Sequence, residues 1–374
     1  MLLNFVFIIV GIALVLWGAD RLTEGASALA RRMSVPEIVI GLTIVAAGTS
    51  APELCVSLVS ALKGTPDMAV GNVVGSNIFN TLLIVGCAAM VAPMVITKAT
   101  VKKDIPFAVG ASVLLLVICL DGFTSMSTSG NTISRLDGII LMAGFALFMV
   151  YTFQVAFTGK KVAEANGANE ANEAYGANEA NGANEANEAN GAYGANETNE
   201  TNGAYGAYGA NEPYGPHEAA TSSGAMSVWV SLLWVVVGLG CLIFGSNLFV
   251  DSATAVARGL NISEGVIGLT IVAGGTSLPE LATSVVAARK GQSAIAIGNV
   301  IGSNVFNILL ILGLTAAISP MQIEGITVVD LSVLVVSIVM VWAFSFTKYT
   351  VARWEGAVLA LAFLGYMAWL WQSV

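Results

Sequence analysis

Polar positions are scarce along this chain and bunched where they occur. Apolar runs long enough to cross a bilayer cover about residues 2–30, 36–61, 68–93, 104–120 and 134–158, and again about 227–257, 263–288, 294–319, 326–346 and 353–372. Between the two sets, from about 162 to 224, Ala-Asn-Glu, Asn-Gly-Ala and Ala-Tyr-Gly units repeat without apolar periodicity. Such a composition cannot bury a core, and it predicts disorder. The pattern as a whole predicts an all-α polytopic membrane protein of ten transmembrane helices: a five-helix repeat over 1–160, an acidic linker over 161–226 and a second five-helix repeat over 227–374.

Composition agrees, with 56% hydrophobic and only 10% charged residues among the 374. A soluble protein is excluded. The net charge of −9 is misleading, because ten of the 24 acidic residues lie between Glu164 and Glu218, where there is no Lys or Arg. Outside that stretch 15 basic residues face 14 acidic ones, so the membrane body is near neutral and acidity is no guide to partners. Nothing calls for nucleic acid. The run from Leu2 lacks a basic segment before it and a cleavage signal after it, so it reads as the first membrane helix. Cys55, Cys87, Cys119 and Cys241 sit singly in apolar segments and read as packing residues.

Shifting the sequence by 227 residues lays Gly41–Gly86 on Gly268–Gly313 without a gap, and 30 of the 46 positions are identical. This is an internal duplication. Five spans per copy is an odd number, so a linker that does not cross forces the second copy to enter from the opposite side: the repeats are expected to be inverted. Basic residues test the arrangement independently. Arg31, Arg32, Lys98, Lys102, Lys103, Lys160, Lys161, Arg289, Lys290, Lys348 and Arg353 fall on one side, against Lys63, Arg135 and Arg258 on the other, with Arg21 left inside the first helix. The positive-inside rule then puts the linker in the cytoplasm and both termini outside the cell membrane.

Two polar clusters interrupt each repeat. The first is Gly48-Thr49-Ser50-Ala51-Pro52-Glu53, mirrored as Gly275-Thr276-Ser277-Leu278-Pro279-Glu280. A proline removes one helical hydrogen bond and clashes with the carbonyl four residues back, so each helix should kink or break here. Thr49 and Glu53 are four apart and share a face. The second cluster places Asn72, Ser76 and Asn80, and their mirrors Asn299, Ser303 and Asn307, at intervals of four along one stripe, with Gly71 and Gly75 permitting close helix approach.

The donors on offer are carboxylates, hydroxyls, amides and carbonyls, and the sole histidine, His217, is in the linker. Such a set favours hard cations, and many flexible oxygens suit Ca²⁺ better than Mg²⁺. Two ionised glutamates neutralise one Ca²⁺ or two Na⁺ at a common site, a competition from which antiport follows. Glu53 and Glu280, acids inside membrane segments at equivalent positions, are the strongest candidates. The hydroxyls of Thr49 and Ser50 have a plainer possible use in satisfying carbonyls freed by the proline, and Asn72 and Asn299 are expected to cross-link helices. Asp20 and Glu24, with their mirrors Asn247 and Asp251, are expected to be solvated near helix ends.

The doubled pair Gly-Thr-Ser-X-Pro-Glu and Gly-Asn-Val-X-Gly-Ser-Asn-X-Phe-Asn resembles the two alpha-repeats of the cation/calcium exchanger superfamily, in particular its prokaryotic sodium/calcium exchangers. The resemblance covers all ten spans and not the linker. It implies ligand roles for the side chains of Thr49, Ser50, Glu53, Ser76 and Asn80, for those of Thr276, Ser277, Glu280, Ser303 and Asn307, and for the backbone carbonyls of Ala46 and Ala273. It also implies exchange of Ca²⁺ for Na⁺ without a cofactor, with the first and sixth helices sliding across the core to alternate access. Some relatives carry aspartate where this chain has Asn307. Some eukaryotic relatives carry calcium-sensing domains in the central loop, for which this linker has no Asp-rich or strand pattern.

The residue types alone leave H⁺ or K⁺ coupling open, since glutamates titrate, and a cation channel is a less favoured use of the same ligands. An intramembrane protease is disfavoured, because the chain offers no Ser-His pair in its spans and no pair of facing aspartates. Ca²⁺, Na⁺ and the lipid bilayer are the partners expected, and a monomer suffices for transport.

Overall fold

The computed structural model describes residues 2–120, 131–158, 226–260, 273–323 and 325–373. The linker expected to be disordered lies outside the described residues, as does the stretch 261–272 at the start of the second motif. The described residues are helical almost throughout: α1 (Leu2–Met33), α2 (Glu37–Thr49), α3 (Ala51–Leu62), α4 (Pro66–Val91), α5 (Ile105–Cys119) and α6 (Arg135–Thr158) in the first half. The second half supplies α7 (Val228–Gly259), α8 (Ala273–Thr276), α9 (Leu278–Arg289), α10 (Ser293–Ile318), α11 (Val328–Ser345) and α12 (Arg353–Ser373).

Among the described residues seven helices are long and apolar enough to cross a membrane, or eight if the bent pair α2 and α3 counts as one span. The helix that ends in α5 does not join them, because its first turns, the π-helical Thr100–Asp104, carry Lys102, Lys103 and Asp104. The chain is therefore a mostly helical, multi-pass membrane protein. Its halves keep the 227-residue relation in three dimensions: the bounds of α3 shifted by 227 are those of α9, and α7 repeats the 32-residue length of α1.

Burial separates two kinds of helix. In α4 and α10, 72% and 94% of the spanning window is buried, against 17–28% in α1, α6, α7 and α12. The first pair is the core and the others form its surround. Exposed large side chains such as Leu3, Ile9, Phe157, Trp229, Phe244 and Leu361 lie on that surround, which suits lipid and would be a liability in water.

Small residues set the closest helix approaches. A Cβ on Gly11 would lie 2.8 Å from the Gly245 carbonyl oxygen, one on Gly18 would lie 2.7 Å from that of Gly238, and one on Gly25 would lie 2.7 Å from that of Ser231. Contact positions that rise in α1 while falling in α7 mean that the two long helices run antiparallel, backbone against backbone. Gly41 and Gly298 bring α2 onto α10 in the same way, as do Gly86 and Gly356 for α4 and α12, and Gly138 and Gly313 for α6 and α10.

Two short antiparallel ribbons tie the halves together. Strand β1 (Met94–Val95) pairs with β4 (Thr350–Val351), and β2 (Asn131–Ile133) pairs with β3 (Met321–Ile323). Two tyrosines act alike on the outer helices: Tyr151 donates to Asp104 at 2.9 Å and Tyr366 to Asp330 at 2.8 Å. Buried carboxylates are thereby given hydrogen-bond partners rather than left bare.

Candidate functional site

The proline breaks the helix outright. After Thr49 the chain turns at Ser50 (φ −82°, ψ 6°), and α3 leaves α2 at 47°, with Pro52 in the first turn of α3. That is where a missing N–H costs nothing. The second half repeats the turn at Ser277 (φ −92°, ψ 9°), with Pro279 opening α9. Glu53 and Glu280 consequently occupy the first turns of α3 and α9, where unpaired N–H groups and the helix dipole favour a carboxylate.

Hydrogen bonds across this centre are reciprocal. Ser50 donates to Glu280 Oε1 at 3.1 Å, and Ser277 donates to Glu53 Oε1 at 3.2 Å. Each glutamate is thus held by the serine of the other half, which puts both carboxylates in one locale. Behind them, Asn72 donates to the Glu53 carbonyl (3.2 Å) and to Ser57 Oγ (2.9 Å), while Asn299 donates to the Glu280 carbonyl (3.3 Å) and to Ser284 Oγ (2.9 Å). The two asparagines cross-link helices, as expected of them.

Side chains of Glu53, Thr49, Ser277, Glu280, Ser303 and Asn307 are fully enclosed, and Ser50, Ser76 and Asn80 nearly so, while Thr276 is half-buried. Among the described residues, five buried oxygens of this group have no hydrogen-bond partner: Glu53 Oε2, Glu280 Oε2, Asn80 Oδ1, Asn307 Oδ1 and Ser303 Oγ. An ionised carboxylate so placed costs on the order of several kcal/mol unless a positive charge or proton meets it. The bare Oε2 atoms of two glutamates held together by the serines of opposite halves fit a hard cation as substrate.

The remaining expected residues are less exposed to such a role. The Thr49 hydroxyl lies within reach of three acceptors, the carbonyls of Val45 (3.1 Å) and Ala46 (3.3 Å) and Asn299 Oδ1 (3.1 Å). Its one proton can serve only one of them, and its lone pairs stay available. The Ala46 carbonyl already accepts the Ser50 N–H at 3.0 Å. Ala273 opens α8, and its side chain lies outside the described residues.

Several features were not expected from the sequence. Gly41–Val45, Phe79–Ile84 and Phe306–Leu312 are π-helical, so Asn80 and Asn307 each stand at the start of a widened turn. Asn80 Nδ2 donates to Asn304 Oδ1, and Asn307 Nδ2 donates to Asn77 Oδ1, both at 3.1 Å. The motif contained Asn77 and Asn304 without marking them. Gly298 and Gly302 do admit a neighbour's backbone, but Gly71 meets only Ile326 and Gly75 nothing among the described residues. The positions equivalent to the partners of Gly298 and Gly302 fall largely within 261–272, outside those residues.

Asp20 keeps a partly solvated setting, its side chain 35% exposed, and adds ion pairs that the sequence did not mark. It accepts from Arg21 at 2.6 Å and from Lys290 at 2.6 Å, and Lys290 also reaches Thr23 Oγ1 at 3.1 Å. Arg21 pairs with Glu24 at 2.7 Å and lies over the rings of Trp17 and Trp234, which explains how a charge is kept within the long helix.

Fold and site together define the class: a multi-pass membrane protein whose polar chemistry is enclosed between two equivalent halves. The family profile described as "Sodium/calcium exchanger protein" matches residues 3–154 and 230–372. The chain is 32% identical to a putative antiporter CaxA of Alkalimonas amylolytica, spanning 100% of both chains, and 30% identical to the sodium/calcium exchanger MaX1 of Methanosarcina acetivorans, spanning 97% of each. Its fold is similar to a solved structure of the sodium-calcium exchanger NCX_Mj, at a TM-score of 0.72 and 26% identity over 98% of each chain. The chain belongs to the sodium/calcium exchanger family, whose members are transporters rather than enzymes.

Proposed function

We propose that this protein exchanges Ca²⁺ for Na⁺ across the cell membrane by alternating access, extruding calcium at the expense of the sodium gradient. One observation carries the reading: the two half-sites present bare, buried oxygens to a common centre, with each glutamate hydrogen-bonded by the serine of the opposite half. Two carboxylates there balance one Ca²⁺ or two Na⁺, so the ions compete for one place. Thr49, Ser50, Ser76, Asn80, Thr276, Ser277, Ser303 and Asn307 complete the shell around Glu53 and Glu280, together with the Ala46 and Ala273 carbonyls. The names of the relatives, a sodium/calcium exchanger and an antiporter among them, support the same ions.

The working architecture is ten spans in two inverted five-helix repeats. Its support is the antiparallel seam of α1 and α7, since two helices that are equivalent in sequence yet opposed in direction are what an inverted duplication produces. The distribution of Lys and Arg supports termini outside and the linker inside. Broken helices at a repeat interface suit a carrier that opens to one side at a time.

Calcium uptake into sealed vesicles containing the full-length protein tests the reading. An outwardly directed Na⁺ gradient should drive uptake, and a H⁺ or K⁺ gradient of equal size should not. A second reading, proton coupling, draws on the same two bare Oε2 atoms, which a proton satisfies as readily as a cation. Uptake that follows the H⁺ gradient and ignores Na⁺ would establish that reading instead.

A further inference from the structure

We propose that Asn77 and Asn304 are positioning residues of the cation site, each fixing the ligand oxygen of the opposite half. A primary amide is two-ended: its Oδ1 accepts and can bind a cation, while its Nδ2 donates and repels one. A turn of half a revolution about the last side-chain bond exchanges the two ends. A ligand asparagine therefore works only if something holds its N–H₂ away from the ion.

Asn304 Oδ1 holds Asn80 Nδ2 at 3.1 Å, and Asn77 Oδ1 holds Asn307 Nδ2 at 3.1 Å. In both cases the far end of the held amide, Asn80 Oδ1 or Asn307 Oδ1, is a bare oxygen of the site. The holders are enclosed, with Asn77 at 0% and Asn304 at 3% exposure, and Asn77 is itself anchored through Nδ2 to the Asn304 carbonyl at 3.4 Å. Water cannot substitute for them in such surroundings.

The partners are not the nearest in sequence. Asn77 and Asn80 are three apart on one helix, yet each bonds across to α10. The π-helical turns beginning at Phe79 and Phe306 take Asn80 and Asn307 out of α-helical register with residues 77 and 304. Ligand orientation in one half consequently depends on the docking of the other, and separation of the halves would release both amides at once.

This inference rests on the reading of Asn80 and Asn307 as ligands, and its test separates the two. Calorimetric titration of Ca²⁺ into the purified full-length protein should show Asn304→Leu weakening binding about 10- to 100-fold, as loss of an outer-shell partner does. Asn304→Asp, which still accepts the Asn80 N–H, should bind within a few-fold of the parent. In a double-mutant cycle Asn304→Leu should add nothing to Asn80→Ala but should compound Asn307→Ala. The pattern inverts for Asn77→Leu. Equal effects of Asn304→Leu in both backgrounds, or failure of Asn304→Asp to restore binding, would overturn the proposal and leave Asn304 a packing residue. Parental binding by Glu53→Gln would instead remove the site reading, and this inference with it.

Discussion

At the centre of the molecule Ser50 reaches Glu280 and Ser277 reaches Glu53, at nearly equal distances. On the long helices the halves differ: Asp20, Arg21 and Lys290 form ion pairs, and the positions equivalent to them are Asn247, Leu248 and Lys63. Both regions descend from the same duplication. An ion held at the centre, as proposed, would meet both halves at once, so changing either half alone would spoil the ligand set. The Asp20–Lys290 pair also joins the halves, but it is made once, away from the two glutamates, and its equivalent positions are free to diverge. The likeness is therefore concentrated where chemistry is shared.

Breaking the shared region should cost the most. Glu53→Gln and Glu280→Gln are each expected to weaken Ca²⁺ binding at least about a hundredfold, and to similar extents, because each removes one of the two negative charges that balance the ion. Vesicle exchange assays on the two variants compare them directly, and a variant with parental rates would break the equivalence. Next in size is the α1–α7 seam. Gly18→Ala and its equivalent Gly245→Ala place a Cβ within 2.8 Å of backbone oxygen that cannot yield, so each should destabilise by about 1–3 kcal/mol. Thermal melts should show matching losses, with Gly240→Ala, whose Cβ meets nothing within 4 Å among the described residues, as the silent control.

The divergent positions predict smaller effects. Ser246 donates to the Gly275 carbonyl at 2.5 Å, and its equivalent in α1 is Ala19. Ser246→Ala should cost about 0.5–1.5 kcal/mol in thermal stability, while Ala19→Gly should leave that bond untouched, so the two melts should differ in origin and in size. Smallest is the ion pair at Asp20. Its groups are about a third exposed, so Asp20→Asn should change the exchange rate by no more than roughly two- to fivefold, with Ca²⁺ affinity unchanged. Lys63→Met should change neither. An altered affinity in Asp20→Asn would couple this ion pair to the site and narrow the contrast between the two regions.

The helical breaks, the paired glutamates and the cross-linking role of Asn72 and Asn299 were legible because each follows from one residue's chemistry: a proline without an N–H, an acid in an apolar run, an amide facing a neighbouring helix. The reciprocity of Ser50 with Glu280 was not, since a repeat shows which residues are equivalent and not which will touch. The π-helical turns left no mark either, because a widened turn depends on what packs around it more than on local propensity. The ion pair at Asp20 was hidden for a related reason: its partner Lys290 is 270 residues away. Asn77 stood inside the motif in plain view, but its bond to Asn307 of the other half leaves no mark in the sequence.

The central claim is that the two halves build one site rather than two. Equilibrium binding of Ca²⁺ to the full-length protein, counted per chain, tests it most directly. One Ca²⁺ is expected in the parent, and none at the same concentration in either Glu53→Gln or Glu280→Gln. Two Ca²⁺ in the parent, with one surviving in each variant, would mean independent half-sites and would contradict the account.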